Sequence, residues 1–118
     1  MEIYKDPSQP IEKRVEDLLR RMTLDEKIGQ MCQYSSFNEE IRELIRKGLV
    51  GSLLNVTGVD KVNEVQREAA ENTRLGIPLL LGLDVIHGYK TIFPIPLALV
   101  STWDPEIVKR AARIAAKE

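Results

Sequence analysis

The sequence predicts an α/β fold built on a parallel sheet, with helices leading into about three strand–helix units. Three observations carry that expectation. Apolar segments of strand length begin near Met31, Leu49 and Leu79. Helical apolar spacing separates them, and strands alternating with helices of this size imply right-handed crossovers. The third segment, "IPLLLGLD", is almost continuously apolar, as a parallel strand covered on both faces should be. An open doubly wound sheet and part of a (β/α) barrel both satisfy the pattern.

Each element follows from its residues. Residues 1–10 are polar with two prolines and read as an N-terminal arm. Ile11, Val15, Leu18, Leu19 and Met22 then fall at helical spacing. Thr23 and Glu26 form a capping box, which starts a second short helix at Leu24. "MCQYS" reads as the first strand, with Cys32 a small buried residue in it. Asn38 caps the next helix, acidic residues fill its first turn, and Arg46 and Lys47 occupy its last. Ile41, Leu44 and Ile45 form its buried stripe, and Gly48 supplies the left-handed stop. "LVGSLLN" is the second strand. "DKVNEVQREAAENTR" is a helix with Val62, Val65 and Ala69 inward. After the third strand a proline-punctuated loop leads to "WDPE", where Asp104 caps the last helix and Pro105 takes its first position. Trp103 is placed to staple against Val108.

Composition narrows the partners. The chain has 118 residues, 43% hydrophobic and 30% charged, with formal net charge −1. That balance gives no electrostatic footprint for nucleic acid or for an anionic membrane. Arg20 and Arg21 are the nearest thing to a basic block and read as a solvated helix face. One cysteine excludes an internal disulfide and any multi-cysteine metal site. No segment approaches the roughly 18 consecutive apolar residues of a membrane span. The first ten residues lack an apolar signal core, so the expected compartment is periplasmic or extracellular after signal removal, and cytoplasmic otherwise.

Three predicted strands leave two sheet edges, and the last helix is still running at Glu118. The expectation is therefore that residues 11–118 form the first part of a larger domain.

The segment with chemical content is "GLDVIHGYK". Ligands in parallel α/β folds sit at the carboxyl ends of the strands, and Asp84 lies there. A carboxylate only accepts hydrogen bonds, and its two oxygens suit the neighbouring hydroxyls of a vicinal diol. Asp84 could equally cap a turn or pair with a lysine. His87 is read as fastening the loop through its ring nitrogens rather than touching a ligand. Gly88 is read as permitting a tight backbone turn.

Four stretches, "VEDLLRRMTLDEKIGQM", "GLVGSLLNV", "NEVQREAAENTRLGIPLLLGLDVIHGYKTIFPIPLAL" and "STWDPEIVKRAARIAAKE", together resemble the start of glycoside hydrolase family 3. The likeness covers nearly the whole chain from Val15, and it points to the bacterial β-glucosidase-like branch. It implies the N-terminal portion of a (β/α)8 TIM-type barrel, followed by an α/β sandwich domain. It implies retaining hydrolysis of terminal non-reducing β-D-glucosyl residues, a β-glucoside or oligosaccharide substrate, and no cofactor or metal. Asp84 matches the family's aspartate that grips sugar hydroxyls in the first subsite; His87 and Gly88 match loop architecture beside it. The family's nucleophilic aspartate and acid/base glutamate match nothing in this chain, so the chain alone is expected to be inactive. The rival expectations are a non-catalytic α/β module that assembles with a partner chain, and a β-xylosidase or β-N-acetylhexosaminidase of the same family.

Overall fold

A computed structural model describes residues 2–118. After a single 3-10 turn at Ile3–Lys5 come α1 (Ile11–Arg21), α2 (Leu24–Gly29), β1 (Gln33–Ser35), α3 (Glu39–Arg46), β2 (Ser52–Leu54), α4 (Val59–Glu71), β3 (Leu80–Gly82), α5 (Pro96–Val100) and α6 (Pro105–Lys117). The strands form one sheet in the order β1-β2-β3, both pairs parallel. The chain divides into two compact units, one running through Leu83 and the other spanning Asp84–Glu118.

In the first unit, local chemistry sets the helix boundaries. The capping box is present: the Thr23 N–H donates to Glu26 Oε2 at 2.8 Å, and the Glu26 N–H donates to Thr23 Oγ1 at 3.2 Å. Asn38 Oδ1 accepts from the Ile41 N–H at 2.9 Å and opens α3. Gly48, at φ +73°, closes it.

Register then decides what is buried. Tyr34, Leu53 and Leu81 are aligned across the three strands, and Leu53 is fully enclosed. Their shared face packs on Ile41 and Ile45 of α3 and Val65 and Ala69 of α4. Gln33, Ser35 and Leu80 point the other way and are exposed. The expectation of a third strand covered on both faces is therefore corrected. Leu80 is 77% exposed, because within this unit helices pack on one side only of the sheet. Cys32 is half-buried and precedes β1 instead of lying in it.

A second apolar cluster anchors the amino-terminal residues. Tyr4, Met22 and Leu75 pack together, and the Tyr4 hydroxyl donates to the Leu75 carbonyl at 2.9 Å. The Tyr4 N–H donates to Asp17 of α1 at 3.1 Å. The predicted stripe of α1 is only partly used: Leu18 joins this cluster, while Ile11, Val15 and Leu19 stay exposed.

Glu68, on α4, is a buried carboxylate. It is 6% exposed and receives hydrogen bonds from Arg46 at 2.6 Å, Arg42 at 3.0 Å and Asn72 at 3.1 Å. These bonds hold its carboxyl below the ordinary range, Arg46 contributing most.

In the second unit, part of the expected loop is helical, with Pro96 opening α5. Asp104 Oδ1 caps α6 by accepting from the Glu106 N–H at 2.9 Å. Trp103 does not staple onto α6. Its backbone takes φ +56° and its side chain is 93% exposed.

Candidate functional site

The carboxyl ends of the strands are extended by one ladder bond each. The Ser36 N–H donates to the Leu54 carbonyl at 3.1 Å, and the Asn55 N–H donates to the Gly82 carbonyl at 2.9 Å. Directly after these bonds the chain turns through left-handed backbone at non-glycine residues, Ser36 at φ +83° and Asn55 at φ +62°. Asparagine tolerates that region because its short side chain bonds locally; serine does so less readily. Backbone of this kind clusters at ligand-binding rims. Sequence reasoning missed both positions, since neither carries a glycine to announce the turn.

β3 is followed by Leu83 and then by Asp84, the first residue of the second unit. The Asp84 side chain is exposed. An exposed carboxylate two residues beyond a strand end can accept hydrogen bonds from a pair of hydroxyls.

His87 is half-buried, and its Nδ1 is enclosed with no hydrogen-bond partner among the described residues. The imidazole borders a cavity of about 170 Å³, otherwise lined by apolar residues such as Val85, Phe93, Leu99 and Ala112. A backbone bond fastens the loop at His87, whose carbonyl accepts from the Phe93 N–H at 2.7 Å. Gly88 takes φ +114°, and a Cβ there would lie 1.9 Å from the Thr91 carbonyl oxygen. No side chain fits that position.

A carboxylate that sequence reasoning did not single out closes the other side of this loop. Glu118 Oε2 accepts from the backbone N–H groups of Lys90 at 2.8 Å and Thr91 at 2.9 Å. Its Oε1 accepts from the Thr91 hydroxyl at 2.5 Å. The Thr91 hydroxyl and N–H, then Lys90, hold the Glu118 carboxyl below its ordinary range. Only the separation of 27–28 positions hid it; nothing local marks this glutamate as a loop partner.

Among the described residues, no group of three or more His, Cys, Asp or Glu side chains is disposed to hold a metal ion. None of the described helices is long and apolar enough to cross a membrane.

Residues 23–118 match the family model described as Glycosyl hydrolase family 3 N terminal domain. A periplasmic beta-glucosidase of Salmonella typhimurium is 40% identical over 108 residues, covering 88% of this chain and 14% of that protein. A probable beta-glucosidase C of Aspergillus oryzae is 31% identical over 148 residues, covering 98% of this chain and 23% of that protein. The crystal structure of a beta-glucosidase from Listeria innocua in complex with isofagomine superposes with a TM-score of 0.76 at 38% identity, over 93% of this chain and 16% of that one. The chain thus spans less than a quarter of the length of each of these proteins.

Proposed function

The chain belongs to glycosyl hydrolase family 3, its parallel sheet matching the N-terminal part of that family's (β/α)8 barrel, and from that premise we propose that it works within a retaining β-glucosidase. The substrate is a terminal non-reducing β-D-glucosyl residue. The observation that supports this reading most is the exposed carboxylate of Asp84, standing just past the carboxyl end of β3.

Asp84 is the residue that binds sugar. Its two oxygens accept from neighbouring hydroxyls of the non-reducing glucosyl ring and fix the ring's orientation. Hydrogen bonds to an ionised acceptor contribute about 1.5–3 kcal/mol each. Orientation lowers the barrier by holding the anomeric carbon near its attacking group.

The chemistry itself needs two carboxyl groups about 5–5.5 Å apart, one attacking the anomeric carbon and one protonating the leaving oxygen. Several carboxylates of this chain have other duties. Glu68 binds Arg42 and Arg46, Glu26 binds Arg74, Asp17 binds Arg21, and Asp104 caps α6. The nucleophile and the acid/base therefore come from the larger enzyme, and the remainder of the barrel with a second α/β domain completes the site. His87 and Gly88 shape the loop beside Asp84.

The test is hydrolysis of an aryl β-D-glucoside by the intact polypeptide, with the anomer of the first-formed glucose followed by NMR. Release of β-glucose is expected. Initial release of α-glucose, or exclusive cleavage of xylosides or N-acetylhexosaminides, would defeat the assignment.

A further inference from the structure

The geometry points to Glu118 as a positioning residue for sugar binding: its carboxylate clasps Lys90 and Thr91, and so holds the loop that begins at Asp84 in the shape that presents it. This inference rests on the assignment of Asp84 to the sugar, and adds a residue that acts through it.

Three observations converge on one point of the loop. Residues 84–91 form no helix or strand, so no ladder holds their shape. Instead the segment is gathered at Thr91. The N–H and hydroxyl of Thr91 bind Glu118, while its carbonyl presses on the bare Cα of Gly88. A further bond, from the Phe93 N–H to the His87 carbonyl, closes the turn just beyond.

The chemistry of the clasp is specific. Successive backbone N–H groups form a concavity that favours an anion. Here an acceptor-only carboxylate fills it, with one oxygen on the two amides and the other on the hydroxyl. All three donors are exposed and could be hydrated instead, so the clasp is not demanded by burial. Its distinctive effect is to fix where residues 84–91 lie. A carboxamide could reproduce the pattern, its oxygen on the amides and its NH2 turned to the Thr91 oxygen; a methyl group could not.

The experiment compares the intact enzyme with E118A, E118Q and T91V, using an aryl β-glucoside, glucose as competing ligand, thermal melting, and amide exchange of residues 85–91. For E118A, kcat/KM is expected to fall about 10–100-fold, the scale of a misplacement of roughly 1 Å. The glucose inhibition constant should rise with it, at an unchanged Tm. E118Q should return to within about threefold of wild type, because the amide keeps the bonding geometry. Exchange across residues 85–91 should speed up in E118A. Wild-type kcat/KM and exchange in E118A would overturn the inference. So would a loss that tracks a lowered Tm and is not rescued by glutamine. Should E118A not fold, T91V decides: it removes one bond, and an unchanged KM and unchanged exchange would count against the clasp. A wild-type enzyme inert towards every β-glucoside would remove the substrate assignment instead, and the exchange data would still judge the clasp.

Discussion

Glu68 of α4 and Arg46 of α3 are joined by a 2.6 Å hydrogen-bonded ion pair whose carboxylate is buried while its guanidinium is half in solvent. With Arg42, which also binds Glu39 and Glu64, the pair ties together the two helices that cover the sheet. It fixes how α3 and α4 lie over Leu53, and hence the frame from which the strand ends project.

Removing the carboxylate should be costly. Glu68→Ala leaves two arginines short of a partner and a small void, although both keep other glutamates. The expected destabilisation is about 2–3 kcal/mol, at or below the range for breaking a fully buried pair. Urea unfolding of wild type and variant checks it. A change under half a kcal/mol would show that the pair is dispensable.

The same pair gives the stability a pH dependence. The carboxyl of Glu68 is held below its ordinary value of 4.5. A depressed carboxylate contributes stability that is fully present above the unfolded-state value and is lost as pH falls through the folded one. Wild type should therefore weaken as pH drops below about 4.5, and Glu68→Gln should flatten that slope. Equal acid sensitivity in both proteins would assign the effect elsewhere.

For the sugar, Asp84→Ala in the intact enzyme should lower kcat/KM by on the order of 2–4 kcal/mol of transition-state stabilisation. Glucose affinity should fall in parallel. A variant with near-native kinetics would separate Asp84 from the substrate.

Gly88→Ala tests the loop from another direction. The new methyl would meet the Thr91 carbonyl at 1.9 Å and sit on backbone at φ +114°. The strained conformation alone costs on the order of 1–3 kcal/mol, before the collision is counted. The variant should lose activity more than Tm, because the loop can distort without unfolding the first unit. Normal turnover in this variant would mean that the loop's shape is irrelevant to the site.

The isolated 118-residue chain should show no turnover of aryl β-glucosides under the proposed reading, in which the two catalytic carboxyl groups lie elsewhere. Its exposed Leu80 face should bind a hydrophobic dye, and Leu80→Lys should reduce that binding. Measurable hydrolysis by the isolated chain would mean that its own carboxylates suffice.

What the sequence made legible was local. Thr23 with Glu26, Asn38 and Asp104 act through bonds to backbone within three residues, so spacing alone locates them. The parallel order followed from strand-length apolar segments alternating with helices. Glu68 was hidden because its burial depends on two helices converging, which a single helix pattern cannot report. Trp103 reads as a staple by position, yet its left-handed backbone turns the ring to solvent. Leu80 belongs to an apolar run whose second cover is not among these residues. In the candidate site, Asp84 and Gly88 stood out by type and place. Ser36, Asn55 and Glu118 did not, because their roles come from backbone geometry and from contacts distant in sequence.

At the amino-terminal ends of the strands, α2 meets the turn after α3 with no side chain between them. A Cβ on Gly29 would lie 2.3 Å from the Gly48 carbonyl oxygen. The approach of α2 to the turn that leads into β2 is thus set by main chain touching main chain, a gap that no rotamer change can widen. In a saturation library, position 29 should tolerate nothing but hydrogen, while the solvent side of α1 drifts freely.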